Sequence, residues 1–412
     1  MKILLIHTTG NQYVRALLRS FNEAGMLAKF VTTIAVNKDS WWLKLLPKST
    51  SQQLTRRVFP LPESRLSTRP WLEVCRNLFA KLGWQWALRH EIGFASIDKV
   101  HADLDKAVAA KLEKKVKQLG ITAVYAFEDG ALETFKKAKK LGLTCIYDLP
   151  IVYWETGRSL MQEEAERVPD WRETLAGGII DSPEKLDRKT AELQLADVVV
   201  VSGQFLVDSL PAWAKAKRII VAPFGSPKPL PSQAKKNTNG PLRVLFVGSM
   251  GQRKGLADLF AAARLMGPAK IELVALGHLM APIEFYERQF DNFTYAPVRP
   301  HEQMLEFMQG CDVFCLPSIV EGRALVMQAA MSQGLPLLIT PNTGGEDLII
   351  EGETGFLVPV RSAQKLAERL DWFVAHRAEV LEMGKKAQLH AAKYTWKAYG
   401  DTIIHELKNW HV

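Results

Sequence analysis

The chain has 412 residues, 47% of them apolar and 24% charged, with a formal charge of +9. These values exclude a disordered or fibrous chain, and the length exceeds the roughly 250 to 300 residues that one hydrophobic core usually supports, so two domains are expected. No apolar run reaches the ~18 residues that cross a bilayer, and the apolar part of the opening MKILLIH is too short for a signal peptide; a cytoplasmic chain, soluble or peripheral on the inner face of the cell membrane, is expected. The four cysteines, Cys75, Cys145, Cys311 and Cys315, are too few and too scattered for a disulfide scaffold and read as free thiols.

Strand and helix patterns alternate from the start. Residues 2–7 read as a strand, 13–24 as a helix, LAKFVTTI as a strand and 104–118 as a charged helix, followed by strand ITAVYAF, helix 130–140 and strand LTCIYDLP. A helix ending at Asp197 and the strands VVVVS and RIIVAPF complete the first half. The stretch 223–242, rich in Pro, Ser, Lys and Asn, has the composition of a linker. Alternation then restarts with RVLFVGS and helix 255–266, and continues through IELVALG, helix 282–289, FTYAPV, helix 301–309 and DVFCLPS. Helix 324–332, strand LPLLIT, a short helix after Gly345, strand GFLVPV and long helices from Ser362 end the chain. Such alternation implies parallel, doubly wound sheets. The expected fold is α/β: two Rossmann-like domains, residues 1–225 and 242–394, joined by a linker at 226–241 and facing each other across a cleft. Residues 395–412, with Trp396, Tyr399 and Trp410, form a terminal helix expected to pack back on the first domain.

Charge is unevenly placed. Between Trp41 and His90 there are nine basic and two acidic residues, mixed with five tryptophans (Trp41, Trp42, Trp71, Trp84, Trp86). That mixture suits the headgroup layer of an anionic membrane; a solvated basic face with its tryptophans in the core is the alternative. No recognisable nucleic-acid module accompanies the charge, so no nucleic-acid partner is expected.

Two loops carry the chemistry. In 321–355 the carboxylate of Glu321 precedes a helix that begins near Ala324 and stops at Gly334, so the first amides of that helix point toward the Glu321 loop and attract phosphate, while Glu321 suits a neutral hydroxyl. In RVLFVGSMGQRKGL, Gly248 and Gly251 allow close backbone approach and Arg253 and Lys254 place two cations at a helix start, an arrangement for a diphosphate leaving group. Phosphate beside sugar describes a nucleotide-sugar.

Residues 242–395 resemble the donor domain of retaining glycosyltransferases of family 4, which have the GT-B fold. FVGSMGQRKGL resembles the strand, loop and basic helix start of that family, LPSIVEGRALVMQAAMSQGLPLLITPNTGGEDLI resembles its Glu-x7-Glu region, and ADVVVVSGQFLVDSL with IIVAPFGS is similar to the last segments before the linker. The resemblance implies transfer of a sugar from a nucleotide-diphosphate donor to an acceptor with retention, no obligatory metal and no other cofactor; the basic segment fits a glycan, glycolipid or lipid-linked acceptor, in polysaccharide, lipopolysaccharide or other cell-envelope glycan synthesis. Lys254 matches the phosphate-binding lysine, Glu321 the glutamate that contacts donor hydroxyls, and the amides of Leu325 and Val326 those that receive the diphosphate. Arg299 lies where backbone groups receive the base. Two positions depart from the pattern: Ala329 stands where the second glutamate holds the ribose, Gln328 beside it pointing about 100° away, and Ser249 stands where many members have an arginine, with Arg253 as a substitute.

The match is looser in the first domain. Asp148 stands where a histidine often contacts the donor sugar, and Glu128 and Asp129 lie nearby; a carboxylate here could orient or deprotonate the acceptor hydroxyl, and Asp129 could instead cap a helix. Gly10, in HTTGNQ, faces the cleft. Asp103 and Asp105 imitate a metal-binding triplet at the start of a charged helix and are read as structural. Two rival functions fit the same two-domain cleft: a nucleotide-sugar epimerase or hydrolase, and a non-catalytic membrane-surface scaffold with a decayed donor site.

Overall fold

A computed structural model describes residues 1–37, 54–55, 57–175, 179–231 and 240–410. The first sheet holds β1 (Ile3–Ile6), β2 (Leu27–Thr32), β3 (Leu66–Thr68), β4 (Ala123–Phe127), β5 (Thr144–Leu149), β6 (Val198–Val201) and β7 (Arg218–Val221), in the order β3-β2-β1-β4-β5-β6-β7. The second holds β8 (Leu242–Val247), β9 (Ile271–Leu276), β10 (Phe293–Ala296), β11 (Val313–Leu316), β12 (Leu337–Ile339) and β13 (Gly355–Leu357), in the order β10-β9-β8-β11-β12-β13. All pairings are parallel. Helices cover both faces, so central strands such as VVVV of β6 and VFCL of β11 are apolar throughout and buried.

Strand order reverses direction once in each sheet, between β1 and β4 and between β8 and β11. Loops leaving adjacent strands there diverge to opposite faces and leave a crevice, where such sheets bind ligands. The loops that follow β5 and β6 meet those that follow β11 and β12. A Cβ on Gly322 would lie 2.0 Å from the Pro150 carbonyl oxygen, and one on Gly344 would lie 1.9 Å from the Gly322 carbonyl oxygen.

Each sheet also receives a piece from across the chain. Helix Trp154–Arg167 and the turn Pro169–Leu175 follow β5, yet Trp171 is buried in the core of the second domain against Phe260, Phe285 and Tyr286, with centroids 5.8, 5.0 and 5.8 Å away. Arg361 reaches back to Glu163 and Glu164, both at 2.8 Å. At the other end, helix Trp396–Lys408 packs Tyr399, Ile403 and Leu407 into the first core, lying against helix Gln12–Glu23 so closely that a Cβ on Gly400 would stand 2.0 Å from Ser20 Oγ.

Some elements differ from the sequence reading. The charged helix begins at Ile97, because the Ser96 hydroxyl accepts from the Lys99 amide and caps it there. Strand β3 and helix Trp71–Lys81 lie inside the basic segment, where no periodicity marks a three-residue edge strand. Trp71, Trp84 and Trp86 are exposed, which removes the buried alternative for these three. Trp41, Trp42, Lys44, Lys48, Arg56 and most of the linker (232–239) lie outside the described residues.

Trp171 fills the second core from a segment of the first domain, so Trp171→Ala opens a cavity and loosens the domain contact together. Urea unfolding is expected to show a loss of about 3–5 kcal/mol; a change below about 1 kcal/mol would place this ring outside the core.

Candidate functional site

The loop after β8 runs from Gly248 to Gly251 and closes in a tight turn, Gln252–Lys254. Gly255 ends that turn at φ 73°, with its missing Cβ only 1.9 Å from the Pro317 carbonyl oxygen; only glycine lets the turn lie on the end of β11. The Arg253 carbonyl accepts from the amides of Ile319 (3.0 Å) and Val320 (3.2 Å), bringing the two loops into register. Lys254 Nζ then donates to the Glu321 carboxylate, while Arg253 Nη1 lies 3.4 Å from the same oxygen and donates to the Val320 carbonyl at 3.1 Å. Burial, then the Arg253 charge, presses the Lys254 ammonium down to about 7, and burial lowers Arg253 as well. The Glu321 carboxylate pulls the other way, so the three form a charged cluster largely screened from water.

Arg323 fixes the loop that carries Glu321. Its side chain is wholly buried, bonded to Asp347 at 2.7 and 3.0 Å, to the Gly344 carbonyl at 2.9 Å and to Gln328 Oε1 at 3.2 Å. Its Nη1 also lies 3.4 Å from the Ser202 carbonyl of the first domain. Helix Leu325–Ser332 follows with Ala324 as N-cap and no side-chain cap. The amides of Leu325 and Val326 therefore lack an intrahelical acceptor, and the positive end of this helix lies a few residues from Glu321.

Several expected site residues are placed differently from one another. Ala329 is 2% exposed and belongs to the apolar core of the second domain. Gln328 is engaged with the Phe224 carbonyl at 2.5 Å and Ser226 Oγ at 3.2 Å, joining the helix to the segment that follows β7. Gly251 does allow close backbone approach, but its neighbour is protein: a Cβ would meet the Thr174 carbonyl at 2.4 Å. Ser249 is half-buried with its carbonyl accepting from the Gly251 amide (2.8 Å), and Arg299 lies exposed with its guanidinium 4.7 Å over the Phe307 ring.

In the first domain a cavity of about 300 Å³ opens between the loops of β1 and β4, walled by His7, Thr8, His101, Glu128, Asp129 and Pro150 among others. His7 Nδ1 accepts from the amides of Thr9 (3.0 Å) and Gly10 (2.8 Å), so the imidazole proton sits on Nε2. Burial, then His101 and Arg57, hold the ring neutral by lowering its pKa to about 3. Glu128 Oε1 is buried with no partner, and burial raises this carboxyl to about 7 against the pull of Lys189. Burial would raise Asp129 too, but Lys189 and Arg188 hold it below the usual carboxylate range, with Arg188 Nη2 donating at 2.6 Å.

Three readings of this domain are corrected by the geometry. Asp129 does not cap the following helix Leu132–Lys140: Glu192 accepts from the Ala131 and Leu132 amides (3.0 and 3.2 Å), and Asp105 from those of Glu133 and Thr134 (2.7 and 2.8 Å). Gly10, at φ 64°, is covered by the Phe59 ring, which a Cβ would meet at 2.2 Å. Asp148 is buried on β5, accepts from the Tyr125 hydroxyl at 2.5 Å and is raised to about 7 by burial; it does not line the cavity. Asp103 accepts from Arg69 at 2.9 and 3.0 Å and from Trp71 Nε1 at 3.0 Å. His90, Glu91 and Asp181 do converge, and Lys185, 3.1 Å from Asp181, supplies the positive charge beside them. His7, His101 and Arg323 escaped the sequence reading. For Arg323 the available signal was its place directly after Glu321-Gly322, where a loop that must hold a carboxylate in place needs an anchor.

The two halves of this arrangement adjoin. Pro150 lines the first-domain cavity and receives Gly322, the residue after Glu321, against its carbonyl.

Residues 229–390 match the family model described as Glycosyl transferases group 1. Over 271 residues the chain is 26% identical to the D-inositol 3-phosphate glycosyltransferase of Corynebacterium aurimucosum, covering 56% of this chain and 64% of that one. Over 140 residues it is 28% identical to the amylovoran biosynthesis glycosyltransferase AmsK of Erwinia amylovora, covering 31% and 34%. The matches thus span less than two thirds of these relatives. Sucrose-phosphate synthase from Thermosynechococcus elongatus superposes with a TM-score of 0.66 at 18% identity, over 99% of this chain and 98% of that one. The architecture is the GT-B fold.

Nitrogen-15 NMR of the side chains is expected to find His7 as the Nε2–H tautomer and unprotonated from pH 8 down to about 4, as a value near 3 requires. Because the folded value lies below the ordinary 6.5, the unfolded chain binds the extra proton, and this residue costs stability progressively as pH falls from 6.5 toward 3. A His7 midpoint near 6.5 would contradict the buried, doubly hydrogen-bonded placement.

Proposed function

We propose that this protein moves a sugar from a nucleotide-diphosphate-sugar to a hydroxyl of a glycan, glycolipid or lipid-linked acceptor, with retained anomeric configuration, in polysaccharide or cell-envelope glycan synthesis. One observation carries the reading: a buried ammonium and carboxylate, Lys254 and Glu321, sit together at the switch point of the second sheet, one residue from the wall of a cavity at the switch point of the first. The group 1 match over 229–390 and the glycosyltransferases similar to this chain support it.

In this reading the donor enters between the pair. Its diphosphate takes the Lys254 ammonium, the Arg253 guanidinium and the amides of Leu325 and Val326 beyond Ala324, and a sugar hydroxyl donates to Glu321. Each charge then exchanges one partner for another without being left bare, and the cations stabilise the departing diphosphate with no metal required. Gly251 and Ser249 shape the loop beneath the phosphates, and Arg299 lies on the side of the base. Ala329 leaves the ribose without a carboxylate, which weakens nucleotide binding by about 1.5–3 kcal/mol relative to a site that has one.

The acceptor occupies the cavity of His7, Glu128 and Asp129. His7 can donate through Nε2, Asp129 is ionised and accepts, and the unpartnered Glu128 oxygen accepts a hydrogen bond from a hydroxyl or donates one according to its protonation. Asp148 acts through Tyr125 as a positioning group, and Gly10 holds the loop under Phe59. Closure around Pro150 and Gly322 excludes water, and the departing phosphate oxygen receives the acceptor proton.

Lys254→Ala and Glu321→Ala are each expected to lower kcat/KM for transfer by about 10- to 150-fold, the worth of one charge-assisted hydrogen bond of roughly 1.5–3 kcal/mol. Activity like the unaltered enzyme in both variants, or products consisting of free or isomerised sugar in place of an elongated acceptor, would refute transfer by this site.

A further inference from the structure

Helix Trp71–Lys81 is amphipathic in the unusual sense. Leu72 and Glu73 face inward, whereas Trp71, Val74, Leu78 and the following Leu82 are all exposed. At about 100° per residue these four lie within roughly 80° of one another, forming a single outward apolar stripe. Trp84 and Trp86 continue it at 46% and 65% exposure, stacked with Phe79 at 5.3 and 6.5 Å, so the tryptophans stand as one aromatic ledge. Apolar residues scattered singly on a surface need no explanation; a contiguous stripe and ledge do.

The charges around this face are mostly positive, Asp103 of the next helix being paired with Arg69. From Arg69 to Phe94 the cations are Arg69, Arg76, Lys81 and Arg89 and the only carboxylates are Glu73 and Glu91. Both carboxylates turn inward, Glu73 to Arg57 at 2.7 Å and Glu91 to the Ser182 amide at 2.9 Å, while Lys81 and Arg89 are exposed. Among the described residues no helix is long and apolar enough to cross a membrane. Tryptophans with an apolar body and a polar N–H, beside exposed cations and with both carboxylates of 69–94 turned inward, match the headgroup layer of an anionic bilayer and not the interior of a protein partner.

We infer that this face docks flat on an anionic lipid bilayer. The docking surface is tied to the acceptor cavity: Arg69 and Trp71 both bond Asp103, on the helix Ile97–Leu119 that supplies Ile97, His101 and Leu104 to the cavity wall. Where transfer proceeds as proposed above, a bilayer held here presents a lipid-linked hydroxyl beside that wall; docking itself does not depend on the transfer reading.

Cosedimentation of the full chain with vesicles of phosphatidylglycerol and phosphatidylcholine tests it, since no sugar donor is needed. The unaltered protein is expected to partition to these vesicles, less at high salt, and the double substitution Trp84→Ser with Trp86→Ser to lower the partition coefficient by at least about tenfold. Arg89→Glu, at the surface and outside the packing, is expected to weaken it by about tenfold as well. Leu389→Ser, at a still more exposed apolar position on the second domain, is expected to leave it unchanged, and thermal melting checks that all variants remain folded. Absence of partition by the unaltered protein, equal partition by the folded double variant, or a lipid-free dimer that the double variant dissolves would overturn the inference, the last in favour of a second copy as occupant.

Discussion

A lysine and a glutamate held together away from water are costly to assemble, and much of this fold serves to hold them. Neither charge would stay at its place alone: an isolated buried ammonium releases its proton, and an isolated buried carboxylate takes one up. Lys254 is placed by a turn that only a glycine at 255 permits, and Glu321 by a loop whose next residue has no room for a side chain. Such a pair adds little to stability compared with apolar packing, and its removal one partner at a time is destructive. In the proposed function its value lies in being exchangeable. A ligand that brings an anion for the lysine and a hydroxyl for the glutamate replaces the contact with two better ones.

The pair gains its position from the meeting of two sheets. Loops after β5 and β6 interlock with those after β11 and β12 through glycine contacts: Gly322 under Pro150, Gly344 under Gly322, and Gly203 against Gly344, where a Cβ would lie 2.9 Å from the carbonyl oxygen. Arg323 joins the same layer through Asp347 and the Ser202 carbonyl. Behind it, Trp171 and the Arg361 pairs with Glu163 and Glu164 clamp a first-domain segment to the second domain, and the terminal helix returns the favour on the other side. The cleft is therefore framed by backbone packed against backbone, which fixes the distance between the Lys254 and Glu321 loops and the first-domain cavity more firmly than long side chains would.

Much of this was legible in the amino-acid order. Apolar runs alternating with helical periodicity announce parallel sheets, and the fold is the GT-B arrangement that the alternation and the family resemblance led to. The cation loop and the acidic loop were recognisable because glycine, charge and helix start occur in fixed succession, and the structure brings Lys254, Arg253 and Glu321 into one cluster. What stayed hidden depends on distant contacts. Nothing local says that Glu192 and Asp105 cap the helix after Asp129, that Phe59 covers Gly10, or that Asp148 turns toward Tyr125. His7 looked like the end of a strand, and its neutrality comes from two amides that only the folded loop aims at it. Trp171 offered no sign of which core it would enter, because both domains are built alike.

Calorimetric titration of a nucleotide diphosphate and of the corresponding nucleotide-sugar into the unaltered protein, Lys254→Ala and Glu321→Ala tests the exchange of partners most directly. The account predicts that loss of the lysine weakens both ligands by about tenfold or more, whereas loss of the glutamate weakens the sugar-bearing ligand alone and leaves the bare diphosphate as tight or tighter. Equal effects of both substitutions on both ligands, or no binding by the unaltered protein across uridine, guanosine, adenosine and thymidine diphosphates and their sugars, would contradict it.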